Sequence, residues 1–203
     1  MKKYLFILLA LAGLSASAQI NTLTPGSIAP DFKLKNIDGK EISFSSFPKA
    51  KGFIIVFTCN TCPVARKYEE RIMELDKKFA PLGYPVIAIN PNDPEVSSGD
   101  NFEAMKDLAK NKNYTFPYLY DHGQVITNKY GAKNTPHIFI VTKTASGNII
   151  GYTGAIDNDP DKSNPDKITY AENAIGSLRA NAKPAVSSTK AIGCSVKRKK
   201  SDL

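Results

Sequence analysis

Two rhythms of apolar residues alternate along this chain. Phe53-Ile54-Ile55-Val56-Phe57 is an unbroken apolar run of strand length, which predicts a central strand buried on both faces. Behind it Val64, Tyr68, Ile72, Leu75 and Phe79 recur at spacings of 4, 4, 3 and 4 among charged residues, the stripe of a helix with one face inward. Pro63 falls in the first turn of that helix, where its missing N–H leaves no hydrogen bond unmade. A strand is predicted over 85–90, then a turn-rich loop over 91–99 and an amphipathic helix through Phe102, Met105, Leu108 and Ala109. A short strand over 116–120 and a helix over 125–130, stopped by Gly131, come next. The runs 137–142 and 148–153 flank Ser146-Gly147 as a hairpin, and a last helix covers 168–181. Upstream, 32–34 and 41–44 around Asp38-Gly39 predict a shorter hairpin. No internal repeat is visible. Strands alternating with helices predict an α/β fold, a sheet with helices on both faces.

The first residues follow another pattern. Lys2 and Lys3 precede an apolar stretch of 11 residues, Tyr4 to Leu14, and Ala16-Ser17-Ala18 follows. These are the parts of a cleavable export signal. The stretch falls short of the roughly 20 residues that a membrane-spanning helix needs. The expectation is a signal peptide over 1–18, cut near Ala18, and an exported product, periplasmic or extracellular, with no stable membrane insertion. Cleavage leaves 185 of the 203 residues, room for one domain with a full core. That domain is expected over 19–185, with a basic C-terminal tail over 186–203. The formal net charge of +8 falls to +6 once Lys2 and Lys3 are lost. Part of the excess is Lys197-Arg198-Lys199-Lys200, which reads as a solvated end. No aromatic residues interleave with it, and no nucleic-acid partner is expected.

The three cysteines are Cys59, Cys62 and Cys194. An odd number cannot all pair within one exported chain, and export places them where disulfides persist. Cys59-Asn60-Thr61-Cys62 stands at the junction of the predicted strand and helix. A helix N-terminus supplies partial positive charge and unpaired N–H groups that favour a thiolate. The pair therefore points to thiol–disulfide exchange. A zinc site is the competing reading, but zinc usually takes four ligands, and the remaining candidates are Cys194, His122 and His137. No metal or other cofactor is expected. His122, in Asp121-His122-Gly123, reads as part of a turn, and His137 as the first residue of a strand. Cys194 has two readings, a bystander or a third redox thiol reaching the site. Asp157-Asn158-Asp159-Pro160-Asp161 has the acidic density of a calcium loop. Yet the sixth and twelfth positions from Asp157 are Lys162 and Ile168 rather than glycine and glutamate, so a solvated loop is expected.

Ala29-Pro30-Asp31-Phe32, Cys59-Asn60-Thr61-Cys62-Pro63 and Thr135-Pro136, in this order, resemble the thioredoxin superfamily and within it the redoxin, AhpC/TSA-like branch. The segments Tyr152 to Asp157 and Gly193 to Lys197 resemble a thioredoxin-like subgroup of it, so the likeness spans 25–197. The resemblance implies a thioredoxin-like fold, a central mixed sheet flanked by helices with an N-terminal β-hairpin extension. It implies Cys59 as the attacking thiol and Cys62 as the resolving one. It also implies a cis Thr135–Pro136 bond whose Thr135 backbone meets an extended substrate, with Asn60 and Thr61 completing the contact. The partners implied are protein disulfide substrates and an upstream thiol electron donor. Three positions depart from the pattern. Thr58 stands where thioredoxins place an aromatic residue before the first cysteine. Phe53 stands where they carry a buried acid, which leaves the second thiol without an assigned proton acceptor. Peroxiredoxins carry threonine three residues before the reactive cysteine; here Val56 and Cys59 hold those positions for Cys59 and Cys62.

The function expected is an exported thiol–disulfide oxidoreductase that reduces protein disulfides through a Cys59/Cys62 dithiol–disulfide cycle. Asn60-Thr61 lacks the histidine that strong oxidants of the superfamily place between their cysteines, which favours a reductant. One alternative is a peroxiredoxin-like thiol peroxidase, an antioxidant. The other is a Sco-like copper-binding chaperone, although those proteins space their cysteines by three residues rather than two.

Overall fold

The structure, a computed structural model, describes residues 20–199, so the expected export signal lies outside the described residues. The chain runs through β1 (Leu34–Asn36), β2 (Glu41–Ile42), β3 (Gly52–Phe57), α1 (Pro63–Phe79), β4 (Val86–Asn90), α2 (Phe102–Lys112) and β5 (Tyr118–Tyr120). It continues through α3 (Val125–Tyr130), β6 (Asn134–Thr135), β7 (His137–Thr144), β8 (Gly147–Gly154), α4 (Tyr170–Arg179) and β9 (Cys194–Ser195). Seven strands make one sheet in the order β2-β1-β5-β4-β3-β7-β8, while β6 and β9 pair separately. β3, β4 and β5 run parallel; β1 and β7 join them antiparallel from either side. This is the mixed sheet with an N-terminal hairpin that the sequence predicts.

β3 is the middle of the molecule because every residue in it is apolar and neither face needs water. Ile54 and Val56 point to one face with Tyr68, Ile72, Leu75 and Phe79 of α1, Met105 of α2 and Ala174 and Ile175 of α4. Phe53, Ile55 and Phe57 point to the other, with Phe32, Phe44 and Ile126 and Tyr130 of α3. Full burial of each such large side chain contributes about 1.5–3 kcal/mol, so a strand of this composition anchors whatever leaves its ends. The cysteine pair leaves its C-terminal end.

Three expectations are corrected. The strand over 41–44 stops at Ile42, because Ser43 opens a 3-10 turn over Phe44–Ser46. That turn stacks Phe44 on Phe53 with ring centroids 4.4 Å apart. The acidic run is not a solvated loop at its first member. Asp157 is buried and receives both the Arg71 guanidinium, at 2.7 and 2.8 Å, and the Tyr68 hydroxyl, at 2.9 Å. The basic end, as far as Lys199, is tied to the domain, although the Lys197 residue stays exposed. Thr189 N–H donates to the Thr153 carbonyl, Val196 N–H to that of Lys133, and Asp93 N–H to that of Lys197. Arg198 reaches Gln124 Oε1 at 3.0 Å and the Ala132 carbonyl at 3.1 Å, and Lys199 lies 2.7 Å from Glu95. Backbone groups of the segment find partners on the domain, which side-chain composition does not reveal.

His137 begins β7 as expected, and it is packed rather than exposed. Its Nε2 meets Thr153 Oγ1 at 3.1 Å, its ring stacks on Phe139 at 4.6 Å, and its Nδ1 has no hydrogen-bond partner among the described residues. Burial, with a smaller effect from the Lys133 charge, pushes its pKa down to about 4.

Two outcomes are expected. Removing Asp157 as Asp157→Ala leaves the Arg71 guanidinium buried without its carboxylate, at a cost of about 3–5 kcal/mol. A lower urea midpoint at unchanged slope reads this cost, and a loss near zero would show the pair to be dispensable. For His137, the unfolded chain binds the proton first, at its ordinary pKa of about 6.5. Its contribution is therefore complete above that pH and is lost as pH falls toward the folded value of about 4. The full span is about 3 kcal/mol. The urea midpoint of His137→Gln should fall less between these pH values than that of wild type; equal slopes would refute the assignment.

Candidate active site

The strand-to-helix junction folds tightly because Pro63 fixes the N1 position of α1 and Cys62 becomes its N-cap, with Ala65 N–H donating to Cys62 Sγ at 3.5 Å. Three residues earlier, Cys59 continues from the end of β3. Both sulfurs are in the reduced form, and both residues are sealed from solvent, Cys59 at 2% and Cys62 at 4% exposure. The resemblance implies Cys59 as the attacking thiol. In the structure Cys59 is buried, and the helix that begins at Pro63 turns its Ala65 N–H to the second sulfur.

Opposite them stands Thr135, fully buried, which precedes a cis bond to Pro136. Its hydroxyl lies 3.1 Å from Cys59 Sγ. Its carbonyl oxygen accepts from the Cys62 thiol at 3.2 Å. The two cysteines pack in one cluster, and each acts on the acidity of the other. The hydrogen bond from Cys59 pulls the Cys62 pKa well below the usual thiol value, against the cost of burial, with Cys194 and Ala65 N–H adding to it. The same bond and burial push the Cys59 thiol up, and the charge of Asp100 pushes it further. The arrangement is a proton-donating Cys59 beside a Cys62 sulfur prepared to carry negative charge.

Asp100 is the residue that sequence reasoning missed. It is fully buried under the turn between the cysteines. Its Oδ1 accepts from Asn60 N–H at 2.6 Å, and its Oδ2 accepts from Thr61 Oγ1 at 2.7 Å, Ser97 Oγ at 2.7 Å and Asn92 Nδ2 at 2.8 Å. Asn60 completes the brace through Nδ2 to the Gly99 carbonyl and Oδ1 to the Tyr118 hydroxyl. Asn60 and Thr61 thus direct their hydrogen bonds to the protein itself, and Thr61 remains exposed at the surface. Nothing in the polar stretch around Asp100 distinguishes it from a solvated turn residue, so no sequence signal marks it.

Cys194, on β9, packs against the Cys59, Cys62 and Ala65 cluster, so it reaches the site in space. His122 meets only Tyr120 near the surface, as a turn residue would. Among the described residues, no group of three or more His, Cys, Asp or Glu side chains is arranged to hold a metal ion. The copper-chaperone alternative gains no observation from the structure. Among the described residues, no helix is long and apolar enough to cross a membrane.

Comparison with known proteins places this geometry. The thiol-disulfide oxidoreductase ResA of Geobacillus thermodenitrificans (strain NG80-2) is 26% identical over 143 residues, 68% of this chain and 78% of that protein. Peroxiredoxin Q of Sedum lineare is 28% identical over 109 residues, 54% of each chain. The crystal structure of an uncharacterized conserved protein from Geobacillus kaustophilus superposes with a TM-score of 0.80 at 30% identity, covering 89% of this chain and 95% of that one. The model of the AhpC/TSA family matches residues 25–151, more than half of the chain, including both paired cysteines and the Thr135–Pro136 edge. The chain belongs to the AhpC/TSA family.

Proposed function

We propose that this chain, a thiol oxidoreductase, is exported and reduces protein disulfides through a Cys59/Cys62 dithiol–disulfide cycle. The observation that carries the reading is the pair of thiols packed together and held against Thr135 at the start of α1, with Cys62 at the helix N-cap. The lowered pKa of Cys62 and the raised one of Cys59 support a division of labour opposite to the one the resemblance implies. The Cys62 thiolate attacks one sulfur of a substrate disulfide, and the other substrate sulfur leaves with the electron pair and takes a proton. Cys59 then gives up its proton and attacks Cys62 Sγ, which closes the Cys59–Cys62 bond and releases the second substrate thiol. The substrate gains two electrons and the enzyme pair loses two. An upstream thiol donor restores the dithiol.

The Thr135–Pro136 edge is the place for an extended substrate segment, held by backbone hydrogen bonds, with the exposed Thr61 at its border. Export rests on the Lys2-Lys3 start, the apolar stretch and the Ala16-Ser17-Ala18 site, and it places the pair among disulfide-bearing proteins. The relatives named as thiol-disulfide oxidoreductases support the reaction class.

A second reading, thiol peroxidase, draws on the same Cys62 thiolate and on the likeness to peroxiredoxin Q. There the thiolate would take one peroxide oxygen to become a sulfenic acid, and Cys59 would condense with it to release water.

The test follows from the roles. Reduction of insulin disulfides should fall by about a hundredfold or more in Cys62→Ser, while Cys59→Ser combined with Cys194→Ser, which leaves no second thiol beside Cys62, should accumulate a mixed disulfide between Cys62 and the substrate. A trapped substrate on Cys59 in Cys62→Ser would reverse the assignment. Insulin left intact by wild type, together with rapid consumption of hydrogen peroxide, would favour the second reading.

A further inference from the structure

Beside the cysteine pair, the chain has seated one of its own cysteines. β9 runs antiparallel to β6, with Cys194 opposite Thr135 and Ser195 opposite Asn134. Thr135 is the residue whose hydroxyl meets Cys59 and whose carbonyl oxygen meets Cys62. Addition of a strand at a free edge is a recurrent way of holding an extended peptide, so β9 takes the position such a peptide would take. Gly193 makes the close fit possible. A Cβ there would stand 2.1 Å from the Thr135 carbonyl oxygen and 2.9 Å from Pro136 N, so the glycine backbone lies directly on that peptide group. Asn134 Nδ2 fixes it by donating to the Gly193 carbonyl at 3.0 Å.

The Cys194 thiol touches that of Cys62, and Val64 N–H in the first turn of α1 donates to it. Its exposure differs from that of the pair. Cys59 and Cys62 are buried, whereas Cys194 is half-buried. Contact with Cys62 and burial raise the Cys194 pKa, while Val64 N–H and the Lys197 charge lower it. Once Cys62 is bound in a disulfide, its charge no longer acts on Cys194, and burial is left against the two lowering influences of Val64 N–H and Lys197.

We propose that Cys194 is a third redox thiol, an internal substrate that exchanges with the Cys59–Cys62 disulfide at Cys62. The step rests on the dithiol cycle proposed above. Cys194 loses its proton to solvent and its sulfur attacks Cys62 Sγ. The Cys62–Cys194 bond forms as the Cys59–Cys62 bond breaks, and the electron pair leaves on Cys59, which takes up a proton beside the Thr135 hydroxyl. One disulfide and one thiol stand on each side, so no outside oxidant or reductant is consumed. The disulfide moves from a sealed pair to one with a half-buried sulfur, which an upstream donor thiol can attack.

Tryptic cleavage separates the participants. Residues 52–66 carry Cys59 and Cys62 on one peptide, and residues 191–197 carry Cys194 on another. The purified protein is treated with oxidised glutathione, its free thiols are blocked, and the digest is weighed by mass spectrometry. Cys59→Ser should join the two peptides at least about tenfold more than Cys62→Ser, since a seated neighbour acts at high effective concentration. Adding Gly193→Ala to Cys59→Ser should lower that yield by about fivefold, as the strand is pushed from Thr135. Wild type should show the joined peptides beside the Cys59–Cys62 form. Should Cys59→Ser fail to fold, wild type and Cys59→Ala carry the test. No joined peptide in any of these, or equal yields from Cys59→Ser and Cys62→Ser, would overturn the proposal. A wild type that reduces insulin without ever joining the peptides sinks this inference and leaves the disulfide-reducing reading intact. Joined peptides in a protein inert toward insulin sustain the exchange and sink the reading instead.

Discussion

The register between β3 and β7 is the constraint on which the site depends. Phe57 stands opposite His137, and five further residue pairs continue the ladder to Gly52 and Thr142. Extended two residues beyond Phe57, the same antiparallel register brings Cys59 opposite Thr135, where the hydroxyl and the sulfur meet. A slip of one residue would turn each β7 side chain to the opposite face and exchange the contacts that hold the thiols. Slippage is opposed by burial on both faces, since Phe53 to Phe57 and Ile138 to Val141 are all without solvent exposure. The hydrophobic core therefore sets the position of a polar contact just beyond its edge.

Two electrostatic sources then act on two sulfurs separately. Beyond the contact of the two cysteines with each other, the first turn of α1 presents Ala65 N–H to Cys62, whereas the charge of Asp100 opposes ionisation of Cys59. A pair of identical thiols in identical surroundings would share one proton without preference. Here the surroundings differ, and they lower the pKa at Cys62 while raising it at Cys59. Asp100 does this while serving as the acceptor around which the Asn60-Thr61 turn is built. It is a positioning residue whose charge also bears on the pair.

Most of the sheet and its helices were legible because their signals are long. The stripe from Val64 to Phe79 runs almost the full length of the 17-residue α1, and the runs around Ser146-Gly147 became the two eight-residue strands of a hairpin. β6 and β9 have two residues each, too short for any period, and lie 59 positions apart where Asn134 meets Gly193. Cys59-Asn60-Thr61-Cys62 could be read as a site, but not which sulfur the helix would face. That depended on α1 starting at Pro63, and helix ends are the least determined part of a periodic pattern. Asp100 was hidden for a different reason. Burial of a carboxylate requires donors from several segments, here Asn60, Thr61, Asn92 and Ser97, and only the folded chain brings them together. The C-terminal segment misled through its composition, since lysine, proline and serine say nothing about whether its backbone finds partners.

The tail and an incoming peptide need the same groups, because Thr135 has a single edge to offer. A strand of two residues is a weak occupant of such an edge, with few ladder bonds and little apolar area. What keeps it there lies farther along, where Asn92 and Gln124 hold the backbone of Lys197 and the fork of Arg198 joins Gln124 to the Ala132 carbonyl. Anchored close by, β9 is always present at high local concentration, yet each of its contacts at Thr135 is replaceable. A segment that pairs with Thr135 over more residues than Cys194 and Ser195 can displace it locally while the anchor at Arg198 holds. The selectivity of the site is then a competition between strands. The winning peptide must be extended, must tolerate the close approach that Gly193 now makes to the Thr135 carbonyl, and must place a sulfur against Cys62.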